Sequence, residues 1–275
     1  MRTISVSAMV AAALAALPYA VAAPAHMAAA RTLVVISYEY AFQAPEQVAA
    51  GAVTVRLVNR GKMGHQAALL RLDDSSSLVR VMRSLVADTA HTSGVHGIGG
   101  VESALPGDSG ETILVLRPGR YVIVCAYNGG GHAHMSMGMI RPLTVTADAM
   151  NVDSMLPATP VTVRLTDYHV ALSGPLHAGR QLVRVENDGV QRHHLSIMRF
   201  VGRTSLEELD KWDGESKPAP IEAVNGGTTV LDAGRASVVA LDLRPGRYLL
   251  ECSVSNDAKS KPHYMLGMER VVAIR

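Results

Sequence analysis

The chain has only two cysteines, Cys125 and Cys252. No zinc-finger spacing of thiols is present, and no serine-protease-like pattern competes. Gly97, Gly99 and Gly100 are not followed by the Lys-Ser/Thr pair that a phosphate cradle needs. Charge of one sign is also lacking. The formal net charge is +2, and no basic run or aromatic-studded patch marks a nucleic-acid surface. Charged residues are scarce, at 18%, while Val, Leu, Ala and Gly are plentiful. With turn residues at short intervals, that balance suits an all-β protein.

Long apolar runs are missing everywhere except at the start. Arg2, the apolar stretch from Ile4 to Leu17 and the small-residue run Ala20, Val21, Ala22 read as a signal peptide over 1–22. An uncleaved anchor is the competing reading. No later stretch is long and apolar enough to span a bilayer as a helix. The expected mature protein is therefore exported, periplasmic or secreted, with no membrane span. In such a compartment lone thiols are unusual unless buried, paired or metal-bound. A Cys125–Cys252 disulfide is the plain alternative to a metal role, but each cysteine ends an expected strand in a different part of the chain.

What is present is present twice. Leu-Arg-Pro-Gly-Arg-Tyr occurs at Leu116–Tyr121 and at Leu243–Tyr248, and each copy leads into a cysteine. His134, Gly138 and Met139 follow Cys125, and His263, Gly267 and Met268 follow Cys252. Upstream, Asn59 and Gly61 lead to His65, and Asn187 and Gly189 lead to His193. Matching residues stay 127–129 positions apart. The repeat divides the chain into domains at 31–147 and 159–275 with a linker at 148–158. Short alternating segments, such as Val53–Val58 and Val161–Leu165, predict strands of a sandwich or small barrel. One helix is expected in each unit between its first His and its Cys. Ser77–Ala87 carries Leu78, Met82 and Leu85 at helical spacing, and Ser205 with Glu208 has capping-box spacing. Each helix is expected to plug one end of its sandwich, with a lid or partner surface as the alternative, and Gly-rich loops are expected at Gly97–Gly100 and Gly226–Gly227.

Each unit thus carries His, Cys, His and Met in that order. A thiolate, two imidazoles and a weak axial thioether form the donor set of a mononuclear copper electron-transfer site. Three of the donors must lie close in sequence and the fourth must come from a distant strand. His65, Cys125, His134 and Met139 meet that demand, as do His193, Cys252, His263 and Met268.

On these residues both units resemble cupredoxins, the plastocyanin and azurin family, over nearly the whole chain after the signal segment. The resemblance implies two tandem Greek-key β-sandwiches, each with copper near one end. Cys125 and Cys252 would be the thiolates, His65, His134, His193 and His263 the imidazoles, and Met139 and Met268 the axial ligands. The chain departs from the family in three ways. The Cys-to-His interval is nine in the first unit and eleven in the second; the first resembles the longer loop of copper nitrite reductases. The Asn that usually follows the first His, and braces the loop, is replaced by Gln66 and His194. His132 and His194 offer alternative imidazoles, although the repeat aligns His134 and His193.

The expected function is electron transfer or copper handling, with a redox partner or copper-delivery protein. A metal-free interaction module is the alternative. A multicopper enzyme, related to nitrite reductase or small laccase, is disfavoured. No Cys-His dipeptide exists to carry an electron onward, and no second set of histidines offers another copper site. Because His132, Met135 and Met137 add spare donors, the first unit is expected to hold copper, especially Cu(I), more tightly.

Overall fold

The computed structural model describes residues 31–87, 93–129, 131–147, 155–212, 218–256 and 260–275. The expected signal segment, and most of the expected linker, lie outside them. Apolar and polar residues alternate along the strands, as period-two geometry requires of a half-buried sheet. In Gly51–Asn59 every odd residue is buried, from Val53 through Val55 and Leu57 to Asn59.

Each half is a two-layer β-sandwich. In the first half, Arg31–Tyr38 runs parallel to Gly51–Asn59, with Leu33 opposite Val55, and Gly51–Asn59 pairs antiparallel with Ser109–Leu116. The facing layer sets His65–Leu72 between Val95–Ala104 and Gly119–Val124, with Ile140–Thr146 beyond. The second half repeats the plan. Val161–Thr166 runs parallel to Gly179–Asn187, which pairs with Ala236–Leu243. Opposite them His193–Phe200 lies between Gly226–Leu231 and Gly246–Glu251, with Glu269–Ile274 beyond. Each half has its own core, around Leu33, Leu57, Leu69 and Leu114 in the first and Leu165, Val185, Leu195 and Leu250 in the second. The repeated Arg-Pro-Gly-Arg-Tyr run closes a corner of each sandwich. The Tyr121 hydroxyl donates to Arg117 O (2.8 Å) and accepts from Arg117 N (3.2 Å), and Tyr248 does the same with Arg244.

The expected helix ends at Ala87, running Leu78–Ala87, but it does not plug one end of the sandwich. Val81 and Leu85 pack with Ala68, Leu72, Val122 and Val124, the residues that alternate with the core-facing Ala67, Leu69, Tyr121 and Ile123. The helix therefore covers the outer face of the second layer. In the other half Leu206–Asp210 starts on the expected Ser205–Glu208 capping box and buries none of its residues.

The Gly-rich segments expected as loops are strands, and they join the halves. Val95–Ala104 pairs with Gly226–Leu231, and Ser109–Leu116 pairs with Ala236–Leu243. Both layers run through the whole molecule, as sheets of eight and ten strands. Thr112 lies opposite Val239, and Val101 opposite Thr228. Each is 127 positions from its partner and so faces its own repeat equivalent, and the two halves are related by a pseudo-dyad through these pairs. Glycine lets each joining strand approach its neighbour within its own half. A Cβ on Gly100 would lie 2.0 Å from Ala67 O, and one on Gly227 would lie 2.3 Å from Leu195 O.

Candidate metal centres

The strand that begins at His65 and the loop that follows Cys125 bring three donors together in the first half. His65 Nδ1 and His134 Nδ1 lie 3.1 Å apart, and Cys125 Sγ lies 3.9 and 3.6 Å from them. The second half reproduces this closely. His193 Nδ1 and His263 Nδ1 are 3.1 Å apart, with Cys252 Sγ at 3.8 and 3.6 Å. All six side chains are buried. Both cysteines are free, each among the imidazoles of its own half, so the disulfide alternative is not what the fold builds.

Local backbone geometry explains the repeated spacing after each cysteine. His134–Met137 and His263–Leu266 are single 3-10 turns, ended by Gly138 at φ 100° and Gly267 at φ 101°. Only glycine takes that left-handed conformation without strain. The turn then returns the chain to the cysteine. Cys125 N–H donates to Met139 O (3.2 Å), Met139 N–H to His134 O (3.1 Å), and Cys252, Met268 and His263 repeat the pattern. Met139 and Met268 are fully buried at the closing end of each loop.

Asn59 and Asn187 brace the approach to the first His of each half. Asn59 Nδ2 donates to Met63 O (2.7 Å) and Ala104 O (2.8 Å), and its Oδ1 accepts from Gly61 N (2.8 Å). Asn187 makes the same three bonds to Gln191 O, Leu231 O and Gly189 N. The Asn-x-Gly run seen twice in the sequence is therefore a brace. The residues after each first His point their backbone N–H at the thiol, from Gln66 to Cys125 Sγ and from His194 to Cys252 Sγ, both at 3.4 Å.

The alternative imidazoles are placed elsewhere. His132 is exposed. His194 Nε2 accepts from Ser253 N (2.6 Å), and its Nδ1 faces Glu102 Oε1 at 3.4 Å. Glu102 also accepts from Gln66 Nε2 at 2.7 Å. Gln66 and His194 thus meet one buried carboxylate from opposite halves, along a cleft also lined by Ala126 and Ser253, the residues that follow the two cysteines. The spare donors of the first loop do not gather either. Met135 is buried against Val81 and Leu85 of the helix, while Met137 is half exposed.

The electrostatics of both centres suit a cation. Burial pulls His65 down to about 4, with the neighbouring His134 adding to the effect. Burial likewise lowers His134, His193 and His263. The imidazoles are neutral at pH 7, which is the ligating form. Burial pushes both thiols up to about 11, so each is held as a thiol until a metal displaces its proton. With metal bonds of about 2.0 Å to nitrogen and about 2.3 Å to sulfur, one ion reaches all three donor atoms of a half. Two imidazoles and a thiolate are donors that suit mononuclear copper, and a buried Met ends each loop.

Sequence reasoning did not find Asp167 and Asn256, which hold His193 and His263, or Glu102, which meets His194 beside the second centre. Asp167-Tyr168 does repeat Glu39-Tyr40 at the same 128-residue offset as the first His, and that was a usable signal. Tyr40 and Tyr168 both take positive φ, and each sets its ring edge-on to the second His of its half.

No protein-family model matches the sequence, and no curated protein matches it. Similar solved structures include a dithionite-reduced auracyanin from Roseiflexus castenholzii, 21% identical, covering 42% of this chain and 98% of that one at a TM-score of 0.32. Auracyanin A, a blue copper protein from Chloroflexus aurantiacus, is 19% identical with the same coverage and a TM-score of 0.30. A Cu-containing nitrite reductase from Thermus scotoductus is 13% identical, covering 89% of this chain and 61% of that one at a TM-score of 0.23. The strand order, the parallel first pair and the donor loop between the last two strands of each half make the fold a tandem cupredoxin-like sandwich.

Proposed function

We propose that this chain is an exported copper protein with one mononuclear type-1-like centre in each half, serving electron transfer or copper handling. His65, Cys125 and His134, with Met139 as the weak axial donor, would hold the first ion. His193, Cys252 and His263, with Met268, would hold the second. One observation carries the reading: a buried thiol and two imidazole Nδ1 atoms, each within 4 Å of the other two, occur in both halves with nearly the same distances. Soft sulfur suits Cu(I) and imidazole suits Cu(II), so a braced site with both exchanges an electron with little rearrangement. A carrier fits better than a catalyst. The residues flanking the cysteines are Val124 and Ala126, and Glu251 and Ser253. Among the described residues, no further group of three or more donors gathers beside either centre. The partner would be a redox protein or a copper-delivery protein. Among the described residues, no helix is long and apolar enough to cross a membrane.

The test is addition of Cu(II) to the reduced, purified protein. An intense thiolate-to-copper absorption in the visible is expected, with up to two equivalents bound. Cys125→Ser and Cys252→Ser should each remove part of the band, and the double variant all of it. A colourless protein at stoichiometric Cu(II) sinks the reading and leaves the metal-free binding module.

A further inference from the structure

We infer that the two centres are unequal, and that Asp167 and Asn256 set the second at a lower reduction potential than the first. The inference rests on the copper reading above. The near sides of the two donor sets match within 0.1 Å, so the difference lies behind the imidazoles.

In the second half both far nitrogens are held. His193 Nε2 donates to Asp167 Oδ1 at 3.0 Å, and His263 Nε2 donates to Asn256 Oδ1 at 3.1 Å. In the first half neither is held by any described residue. His65 Nε2 and His134 Nε2 are both shut away from solvent and have no hydrogen-bond partner. The first-half counterpart of Asp167 is Glu39, which accepts from the Lys62 N–H and acts on His65 and His134 through space alone, with no hydrogen bond to either ring. Tyr40 and Tyr168 sit edge-on to His134 and His263 alike, so the difference beside His134 is Tyr127, whose tilted ring offers its Nε2 no acceptor.

An acceptor on the far N–H pushes electron density through the ring to the near nitrogen and raises ligand basicity. A carboxylate does so more strongly than an amide, because its bond to N–H is charge-assisted. A more basic imidazole favours the metal state of higher charge. The second donor set therefore stabilises Cu(II) over Cu(I) more than the first does. Asp167 is held for this task. Its Oδ1 also accepts from Gln191 N at 3.2 Å and its Oδ2 from Val190 N at 3.4 Å, so the carboxylate cannot swing away cheaply. In a singly reduced protein the electron rests on the first half. Asp167 and Asn256 are positioning residues, acting on the metal only through His193 and His263.

Spectroelectrochemical titration of the copper-loaded protein tests this, with the single-site variants Cys125→Ser and Cys252→Ser assigning each wave to its half. Two waves are expected, the second half lower by at least tenfold in the electron equilibrium, or about 59 mV for one electron. Asp167→Asn, which keeps size and removes charge, should raise the second wave toward the first and leave the first unmoved. Asn256→Ala should raise it by less. Coincident waves, a reversed order, or an unmoved second wave in Asp167→Asn overturns the inference while leaving the copper assignment intact. A protein that takes up no copper overturns the assignment and the inference with it. A readout on the metal-free protein is independent of both. Nitrogen-15 NMR should show a slowly exchanging Nε2–H on His193 that Asp167→Ala abolishes, and its absence in the parent protein would remove the basis of the inference.

Discussion

Glu102 of the first half meets His194 of the second, Oε1 to Nδ1 at 3.4 Å, where both side chains are buried. Each stands beside a different thiol. His194 donates its own backbone N–H to Cys252, and Glu102 accepts from Gln66, whose backbone N–H points at Cys125. A continuous polar chain therefore crosses between the halves from one centre to the other.

Removing the carboxylate leaves the buried His194 and the half-buried Gln66 without an acceptor. Glu102→Ala should lower stability by about 3 kcal/mol, as breaking one side of a buried pair does, and should alter the absorption of both copper centres together. Glu102→Gln keeps an acceptor oxygen and should cost less. Urea unfolding and visible spectra of the two variants check this. A change confined to one centre would show that the chain does not couple them.

The glycine strands that join the halves tolerate no side chain. Gly100→Ala would place a methyl 2.0 Å from Ala67 O and Gly227→Ala one 2.3 Å from Leu195 O, in both cases against backbone. Gly107 shares the positive φ, at 82°, but nothing lies within 4 Å of its Cβ position. Gly107→Ala should therefore cost only the conformational term of about 1 kcal/mol. The other two should be far more damaging and should part each strand from its neighbour within its own half, read by thermal unfolding and amide exchange of Val101 and Thr228. Equal losses at all three positions would mean that close approach is not what the glycines serve.

The sandwich and the meeting of each Cys with two His were legible because their signals are local and doubled. A cysteine ending an apolar strand, with His and Met at fixed spacing behind it, survives any uncertainty about distant contacts. The joining strands were not legible. Gly97–Gly100 and Gly226–Gly227 carry the composition of loops, and their strand conformation is imposed by pairing with the other half. The far-side partners were hidden for a related reason. Asp167 lies 26 residues from His193 and Glu102 lies 92 from His194, and no short spacing announces either pair.

Copper loading should release one proton per centre at neutral pH. The thiols are raised to about 11 by burial and are protonated, while His65, lowered to about 4, is already neutral. Burial lowers His134, His193 and His263 as well, so around neutral pH the metal competes with a single proton per centre and affinity should rise about tenfold per pH unit. It rises rather than falls because the competing group is an acid that binding deprotonates. A pH-stat titration counts the protons, and chelator competition at pH 6, 7 and 8 gives the slope. A slope near zero would mean that the thiolate is already formed in the metal-free protein, and a slope near two that an imidazole must also be deprotonated.

Asn59 and Asn187 should matter more through their donors than through their size. Each buried amide gives two N–H bonds to carbonyls on different segments and takes one from glycine, tying the chain before the first His to the strand beside it. At about 1 kcal/mol per hydrogen bond, Asn187→Ala should cost about 3 kcal/mol and leave His193 less fixed. Asn187→Asp is the sharper test. It preserves shape and the acceptor to Gly189, but it turns an oxygen toward the Gln191 and Leu231 carbonyls in a buried place. Unless the carboxyl takes up a proton, that arrangement is repulsive, so Asn187→Asp should be at least as destabilising as Asn187→Ala at pH 7 and should recover part of the loss at pH 5. The same changes at Asn59 should act on the first centre alone. Melting temperatures at the two pH values, with copper affinity of each half, decide it: an aspartate variant as stable as the parent at pH 7 would show that the two N–H bonds do not hold the loop.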